Sequence, residues 1–491
     1  MPTHTTPMKH IAQMLIALAI CTSVAWADEF EDGVAAYKQK DYVEAILKFK
    51  NAAKQGNPIA QTTLGFMYEK GQGTPKNYDD AAKWYKMATE QGSAIAQVSL
   101  GYLYRNGYGV SQDYREAVRL YNLAAAQGDP IGQFNLGYMY KNGFGITQDY
   151  EEAMRWYRLA AQQGNASAQL SIGSMHEDGH GVVKDYAEAI RMYKLAADKG
   201  LSQAQHNLAL MYENGRGVVQ DQGEAVRLYK LAAAQGNAGS QYNLGLIFDI
   251  GKGAIQNYVE AVRFYTLAAT QGSVSAQYNL ALMYEEGRGV VRNYAEAARL
   301  YKLAATQGSV NAQNNLALMY EEGRGVAQDY PEAARLYRLL AEQGLATAQH
   351  NLALMYENGR GVVQDQAEAV RLYKLAAAQG NGGSQVNLGL IYSKGQGVVQ
   401  SYAEAVRLYR LAAEQGLSQA QYNFALMYYH GHGVVKDYSR AHMWWSLAAE
   451  KGNTGAVKDL DIVKKKMTIQ QIAEAQKLAR ECQARNFKNC G

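Results

Sequence analysis

Residues 273–308 read SVSAQYNLALMYEEGRGVVRNYAEAARLYKLAATQG, and the way this stretch recurs decides the fold. Ala276, Leu280, Met283 and Tyr284 keep the i, i+4, i+7, i+8 rhythm of one helical face. Gly287 is placed to end that helix as a C-cap. A short loop, Gly289-Val290-Val291-Arg292, leads to Asn293, an N-cap residue type. Glu296 stands three residues on, which predicts a capping box at the start of a second helix. That helix presents Ala297, Leu300, Tyr301, Ala304 and Ala305 to a core, and Gly308 closes it.

The Gly-x-Gly of this loop first occurs at Gly71 and Gly73 and returns every 36 residues to Gly431 and Gly433. A second glycine row, from Gly56 to Gly452, keeps the same beat, so residues 57–452 hold eleven units without a slip in register. All eleven equivalents of Asn293, from Asn77 to Asp437, are Asn, Asp or Ser. Two rows stay small where paired helices must approach. One runs from Gly65 to Ala425 and is glycine or alanine at every step; the other is alanine throughout, from Ala81 to Ala441. One helix pair cannot bury its own apolar face, so neighbouring units must stack on it. The Gly-x-Gly pairs have no preceding strand and lack a third glycine, so they read as loop geometry and not as a dinucleotide fingerprint.

The pattern AQxxLGxMYxxGxGVxxDYxEAxxxYxxAAxQG resembles the Sel-one-like repeat, a longer-looped relative of the tetratricopeptide repeat. The resemblance implies an all-α, right-handed solenoid of stacked antiparallel helix pairs and a role in binding other proteins. Residues 28–56 resemble an ordinary tetratricopeptide pair with the same Ala45 and Gly56 landmarks but a shorter loop, and are expected to cap the N-terminal end. Residues 453–491 lose the pattern; 454–466 and 469–485 are expected to form two closing helices, the second capped by Thr468 with Gln471 three residues on.

Composition narrows the function classes. With 49 basic and 45 acidic side chains the net charge is +4, which makes no electrostatic case for a nucleic-acid partner. Residues 1–27 carry one charge, Lys9, then an apolar run from Ile11 to Trp26 that closes on Ala25-Trp26-Ala27 before Asp28-Glu29. These are the parts of a cleaved secretory signal peptide, which predicts a periplasmic or secreted chain with no membrane span after cleavage. Cys482 and Cys490, the only cysteines after residue 27, are expected to form a disulfide that pins the tail; spacing alone leaves pairing between chains open.

Several motifs invite a chemical reading. His176-Glu177-Asp178-Gly179-His180 fits the zinc-hydrolase string, but Gly179 breaks the helix between the histidines and no third ligand is evident, so neither metal nor cofactor is expected. Arginines from Arg119 to Arg407 follow glutamates at i, i+3 in nine consecutive repeats, which reads as a solvated, self-neutralised helix face and not as a phosphate track. Cysteine-rich relatives of the resembled family are associated with β-lactamase or penicillin-binding activity. This chain has no cysteine in residues 57–452 and no Ser-x-x-Lys. The favoured reading is a non-enzymatic interaction scaffold, with such a hydrolase as the alternative.

The binding face is expected on the first helices, away from the core. A variable row there includes His206, Tyr242, Tyr278 and Tyr422; beside it run leucines and asparagines. Tyr242, Asn243, Leu246, Tyr278, Asn279, Leu282, Asn315 and Leu318 are the predicted partner groove: asparagine to bond a peptide backbone, tyrosine and leucine for apolar contact. The competing reading is that these side chains only fill the space between adjacent first helices.

Overall fold

The computed structural model describes residues 27–490. Apart from Ala27, the segment read as a signal peptide lies outside the described residues. Helices α1 (Ala27–Lys38) and α2 (Tyr42–Lys54) precede the repeats. The repeats supply twenty-two helices of 13 residues each, α3 to α24, from Pro58–Lys70 to Tyr438–Glu450, and α25 (Thr454–Lys464) and α26 (Ile469–Ala484) follow. There is no strand among the described residues. The chain forms two compact units, one ending at Gln256 and the other beginning at Asn257. In each, helices pack on their neighbours in the chain as an α-solenoid of paired helices.

The local chemistry of the repeat explains its shape. At the end of helix Val274–Glu286, Gly287 takes a left-handed conformation with φ 75°, and its N–H and that of Arg288 both return to the Met283 carbonyl. Asn293 N–H then bonds the Tyr284 carbonyl at 2.9 Å, closing the loop on the helix it left. The second glycine answers to tertiary packing as well: at Gly289, φ 68°, a Cβ would lie 2.3 Å from the Tyr258 carbonyl of the preceding repeat.

The capping box predicted for the second helix is only half present. Asn293 accepts the Glu296 N–H at 3.1 Å, but the Glu296 carboxylate is taken by Arg299 at 2.6 and 2.8 Å and does not reach back. All nine Glu–Arg pairs of this row close at 2.6–2.9 Å. The reciprocal box is complete at Thr468 and Gln471.

In each unit the core is built around buried tyrosines. Tyr85, Tyr121, Tyr193, Tyr229, Tyr301 and their equivalents are wholly buried, each stabilising by roughly 1.5–3 kcal/mol through burial. The small row makes room for them: a Cβ on Gly65 would sit 2.7 Å from the Tyr85 ring. The ends of the array substitute larger or differently shaped groups. Phe49 takes the tyrosine place in the N-terminal pair, while Trp444 and Trp445 fill the last repeat. Cys482 packs in that last cluster and is bonded to Cys490, with Cα atoms 5.4 Å apart.

A glutamine staple joins consecutive repeats, and its role is invisible in the local pattern. Gln277 is buried; its amide donates to the Ala269 carbonyl at 3.3 Å, and its oxygen accepts from Gln307 at 2.8 Å. The arrangement recurs at Gln61 and Gln205. In the fourth repeat Lys199 replaces the second glutamine. It reaches the Gly164 carbonyl, but the buried Gln169 oxygen is left without a partner.

Candidate functional site

The first helix of each repeat is sandwiched so fully that little of it meets solvent. On Val274–Glu286, Ser275 and Glu286 are exposed, and Asn279 and Leu282 between them are half-buried. These four positions form one stripe at helical spacing, so the asparagine and leucine rows do occupy its open side.

The variable row does not lie on that open side. Thr62, Val98 and Phe134 are buried and His206, Tyr278, His350 and Tyr422 half-buried. They lie in the seam between successive first helices. His206 and His350 are hydrogen-bonded to Ser240 and Ser384, one repeat on, at 2.9 Å, and the Tyr278 ring packs 5.8 Å from the core ring of Tyr301. A row bearing His, Tyr, Asn and Val reads as surface in sequence; helix-to-helix stacking covers it.

Of the eight predicted groove residues, Tyr242, Asn243 and Leu246 belong to helix Ala238–Ile250 of the first unit. Tyr278, Asn279, Leu282, Asn315 and Leu318 belong to Val274–Glu286 and Val310–Glu322 of the second. All eight are half-buried. The asparagines are partly engaged: Asn279 donates to the Tyr265 hydroxyl at 3.2 Å and Asn315 to that of Tyr301 at 3.1 Å.

Leu282, Asn315 and Leu318 line one open cleft of about 440 Å³ together with Glu285, Tyr294 and Arg324. Three repeats on, the equivalent positions Leu390, Asn423, Leu426, Tyr402 and His432 line a second cleft of about 250 Å³. The cleft is thus a product of the repeat, with two apolar walls, an amide and a changing polar floor.

That floor is a relay that the sequence reading missed. Tyr301 donates its hydroxyl to Glu285 at 2.7 Å, and Arg324 pairs with the same carboxylate at 3.2 Å. Burial, with Glu285 beside it, pushes the Tyr301 phenol far above its ordinary range, so it stays a neutral donor. Tyr193–Glu177, Tyr229–Glu213 and Tyr373–Glu357 repeat the bond at 2.6–2.7 Å. In several repeats the middle residue of the Gly-x-Gly lies over the tyrosine that opens the preceding second helix. Tyr108 stacks on Tyr78, Phe144 on Tyr114 and His180 on Tyr150, while Arg324 sits over Tyr294. The planar character of that middle residue, with lysine only at Lys252, was the available signal.

The zinc-like string is spread across a helix end. Helix Ala166–Asp178 carries His176, Gly179 turns left-handed at φ 77°, and His180 lies beyond it on the Tyr150 ring. Among the described residues no three His, Cys, Asp or Glu side chains group as a metal site, and no helix is long and apolar enough to cross a membrane.

Comparison with known proteins places the architecture. No curated protein matches the chain. The crystal structure of c5321, a protective antigen of uropathogenic Escherichia coli with an SLR fold, is 35% identical, with a TM-score of 0.78 over 91% of this chain and 96% of that one. A Sel1 repeat protein from Oxalobacter formigenes is 36% identical over 49% of this chain and 99% of its own, with a TM-score of 0.48. The likeness to c5321 does not support the hydrolase alternative. The Sel1 repeat family matches eleven consecutive segments, from residues 58–93 to 418–453, and with the stacked helix pairs and their clefts this makes the chain a member of that family.

Proposed function

We propose that this chain is a non-catalytic protein-interaction scaffold, exported to the periplasm or beyond, that takes partner segments in the clefts between successive first helices. Repeat-only folds of this kind generally serve as interaction scaffolds. The observation that carries the reading is the recurring cleft of the second unit, where Leu282 and Leu318 flank Asn315 on the open stripe of the first helices. Two leucine walls offer apolar area, and the Asn315 amide between them can exchange hydrogen bonds with a peptide backbone. Export rests on the apolar run and Ala25-x-Ala27, and predicts that the mature chain begins at Asp28, read by intact mass of the exported protein.

The test places a photo-crosslinking side chain at Leu282 or Leu318, and separately at exposed Lys302 on the second helix, in cells that export the protein. Adducts with a partner protein are expected at the two leucine positions and not at Lys302. Trapping at Lys302 alone moves the binding face to the second helices and ends this reading.

A further inference from the structure

In most repeats the buried tyrosine is satisfied by a glutamate of its own repeat. Within the first unit, Tyr85 donates to Glu69 at 2.9 Å, and Tyr193 and Tyr229 to Glu177 and Glu213 at 2.7 Å. The second and third repeats break the row: the equivalent positions are Arg105 and Lys141. The consequence is structural. Tyr121 is wholly buried and its hydroxyl has no hydrogen-bond partner among the described residues. Asn135, the equivalent of Asn315, makes no bond to it either.

Arg105 is held ready and left uncompensated. Its guanidinium lies 5.3 Å from the Tyr102 ring and 5.4 Å from the Tyr138 ring, which fixes the group without consuming its N–H donors in an ion pair. Neither Arg105 nor Lys141 has a carboxylate partner among the described residues, although Glu177 and Glu213 each hold a cation at 3.4–3.5 Å. Burial pushes the Tyr121 phenol far upward and the nearby Arg105 charge pulls it partly back, so it remains a donor. A cation without a carboxylate thus stands beside an orphaned hydroxyl, with no glutamate at the position that supplies one in the sister repeats.

We propose that the surface around Arg105, between the Tyr102 and Tyr138 rings and over the buried Tyr121 hydroxyl, binds an acidic segment of a partner polypeptide, one carboxylate of which takes the place that Glu177 and Glu213 fill from within. This rests on the reading of the clefts as partner sites. The sister repeats display the ligand: a glutamate side chain, planar and singly charged, accepting from tyrosine and pairing with a cation. A carboxylate accepting charge-assisted bonds from Arg105 fits that donor set. Lys141, at the same position of the next repeat, favours a segment with more than one acidic residue.

Binding of a fluorescein-labelled hexaglutamate peptide, read by anisotropy at low salt, tests this on the full-length mature protein. The unaltered protein is expected to bind it. Arg105→Glu supplies the missing carboxylate internally; it should weaken binding at least tenfold and raise the melting temperature, because Tyr121 regains a partner. Arg105→Gln removes the charge without filling the slot and should weaken binding alike, which covers the case in which the glutamate variant fails to fold. Tyr121→Phe should cost about threefold. Lys194→Glu makes the same kind of charge change on the exposed face of a second helix and should leave binding unaltered. Absence of binding, equal losses in the Arg105 and Lys194 variants, or a hexathymidylate that binds as tightly through Arg105 would each overturn the proposal. The crosslinks at Leu282 and Leu318 report on the other unit, so their outcome separates failure here from failure of the scaffold reading.

Discussion

Tyr121 and Tyr301 occupy the same place in their repeats, both buried to the last atom of the ring, yet one hydroxyl is orphaned and the other sits in a three-membered relay. The difference comes from one residue sixteen positions earlier, Arg105 against Glu285. The tyrosine builds the fold in both places, because it fills the space that the small row opens. The residue opposite its hydroxyl sets the charge of the cleft. A repeat protein can thus keep one packing scheme and still vary what each cleft presents. Here the variation runs from aromatic and cationic near Arg105, through paired acid and base near Glu285, to histidine at His432.

The largest expected effect comes from making the second cleft resemble the first. Glu285→Arg strands the Tyr301 hydroxyl and sets two cations against each other at Arg324, and should lower stability to urea by about 2–3 kcal/mol. A variant as stable as the parent would mean that the relay contributes nothing and the contrast is only one of sequence.

Removing the hydroxyls compares the two sites directly. Tyr301→Phe loses a charge-assisted bond and should cost about 1–2 kcal/mol, whereas Tyr121→Phe removes a group with no partner and should stay within about 0.5 kcal/mol of the parent. Equal costs at both positions in urea unfolding would show that Tyr121 finds a partner in solution.

The same logic extends to the staple. Lys199→Gln should raise stability by about 1 kcal/mol, since it returns a donor to the buried Gln169 oxygen, as Gln163 does for Gln133 at 3.0 Å. No gain in melting temperature would confine the cost of orphaned groups to the clefts.

The smallest effect concerns pH. Burial depresses the imidazoles of His206 and His350, so the folded chain holds them neutral while the unfolded chain takes up protons. The stability they contribute is therefore whole above their ordinary value near 6.5 and drains away as pH falls through and below it. A melting series between pH 7.5 and 5 should decline, and His206→Gln/His350→Gln should flatten the slope. An unchanged slope assigns the acid loss to other groups.

Much of the fold was legible in the sequence because its causes are local. Helix pairing came from apolar spacing, and the Gly287 and Asn293 caps form as their residue types require. Even the half-formed capping box fails for a local reason: Arg299, one turn on, competes for Glu296. The candidate site was less legible. The leucine and asparagine rows do sit on the open stripe, but His206 and Tyr278 do not, since periodicity on one helix cannot say which side a neighbouring helix will cover. The glutamate row was overlooked because a glutamate beside a glycine reads as solvated surface until its tyrosine, sixteen residues on, folds over it.

What the sequence determined by itself was the 36-residue period, the two helices in each unit, their ends, and the small positions where backbones meet, all set by forces acting within about ten residues. Only the tertiary structure decided that Gln307 would staple Gln277, that the His206 row would become a seam, and that Arg105 would stand before an orphaned hydroxyl. Those outcomes join residues sixteen to thirty-four positions apart. They depend on burial, which withdraws water as the competing partner and leaves each polar group to whatever the stacked repeats bring within reach.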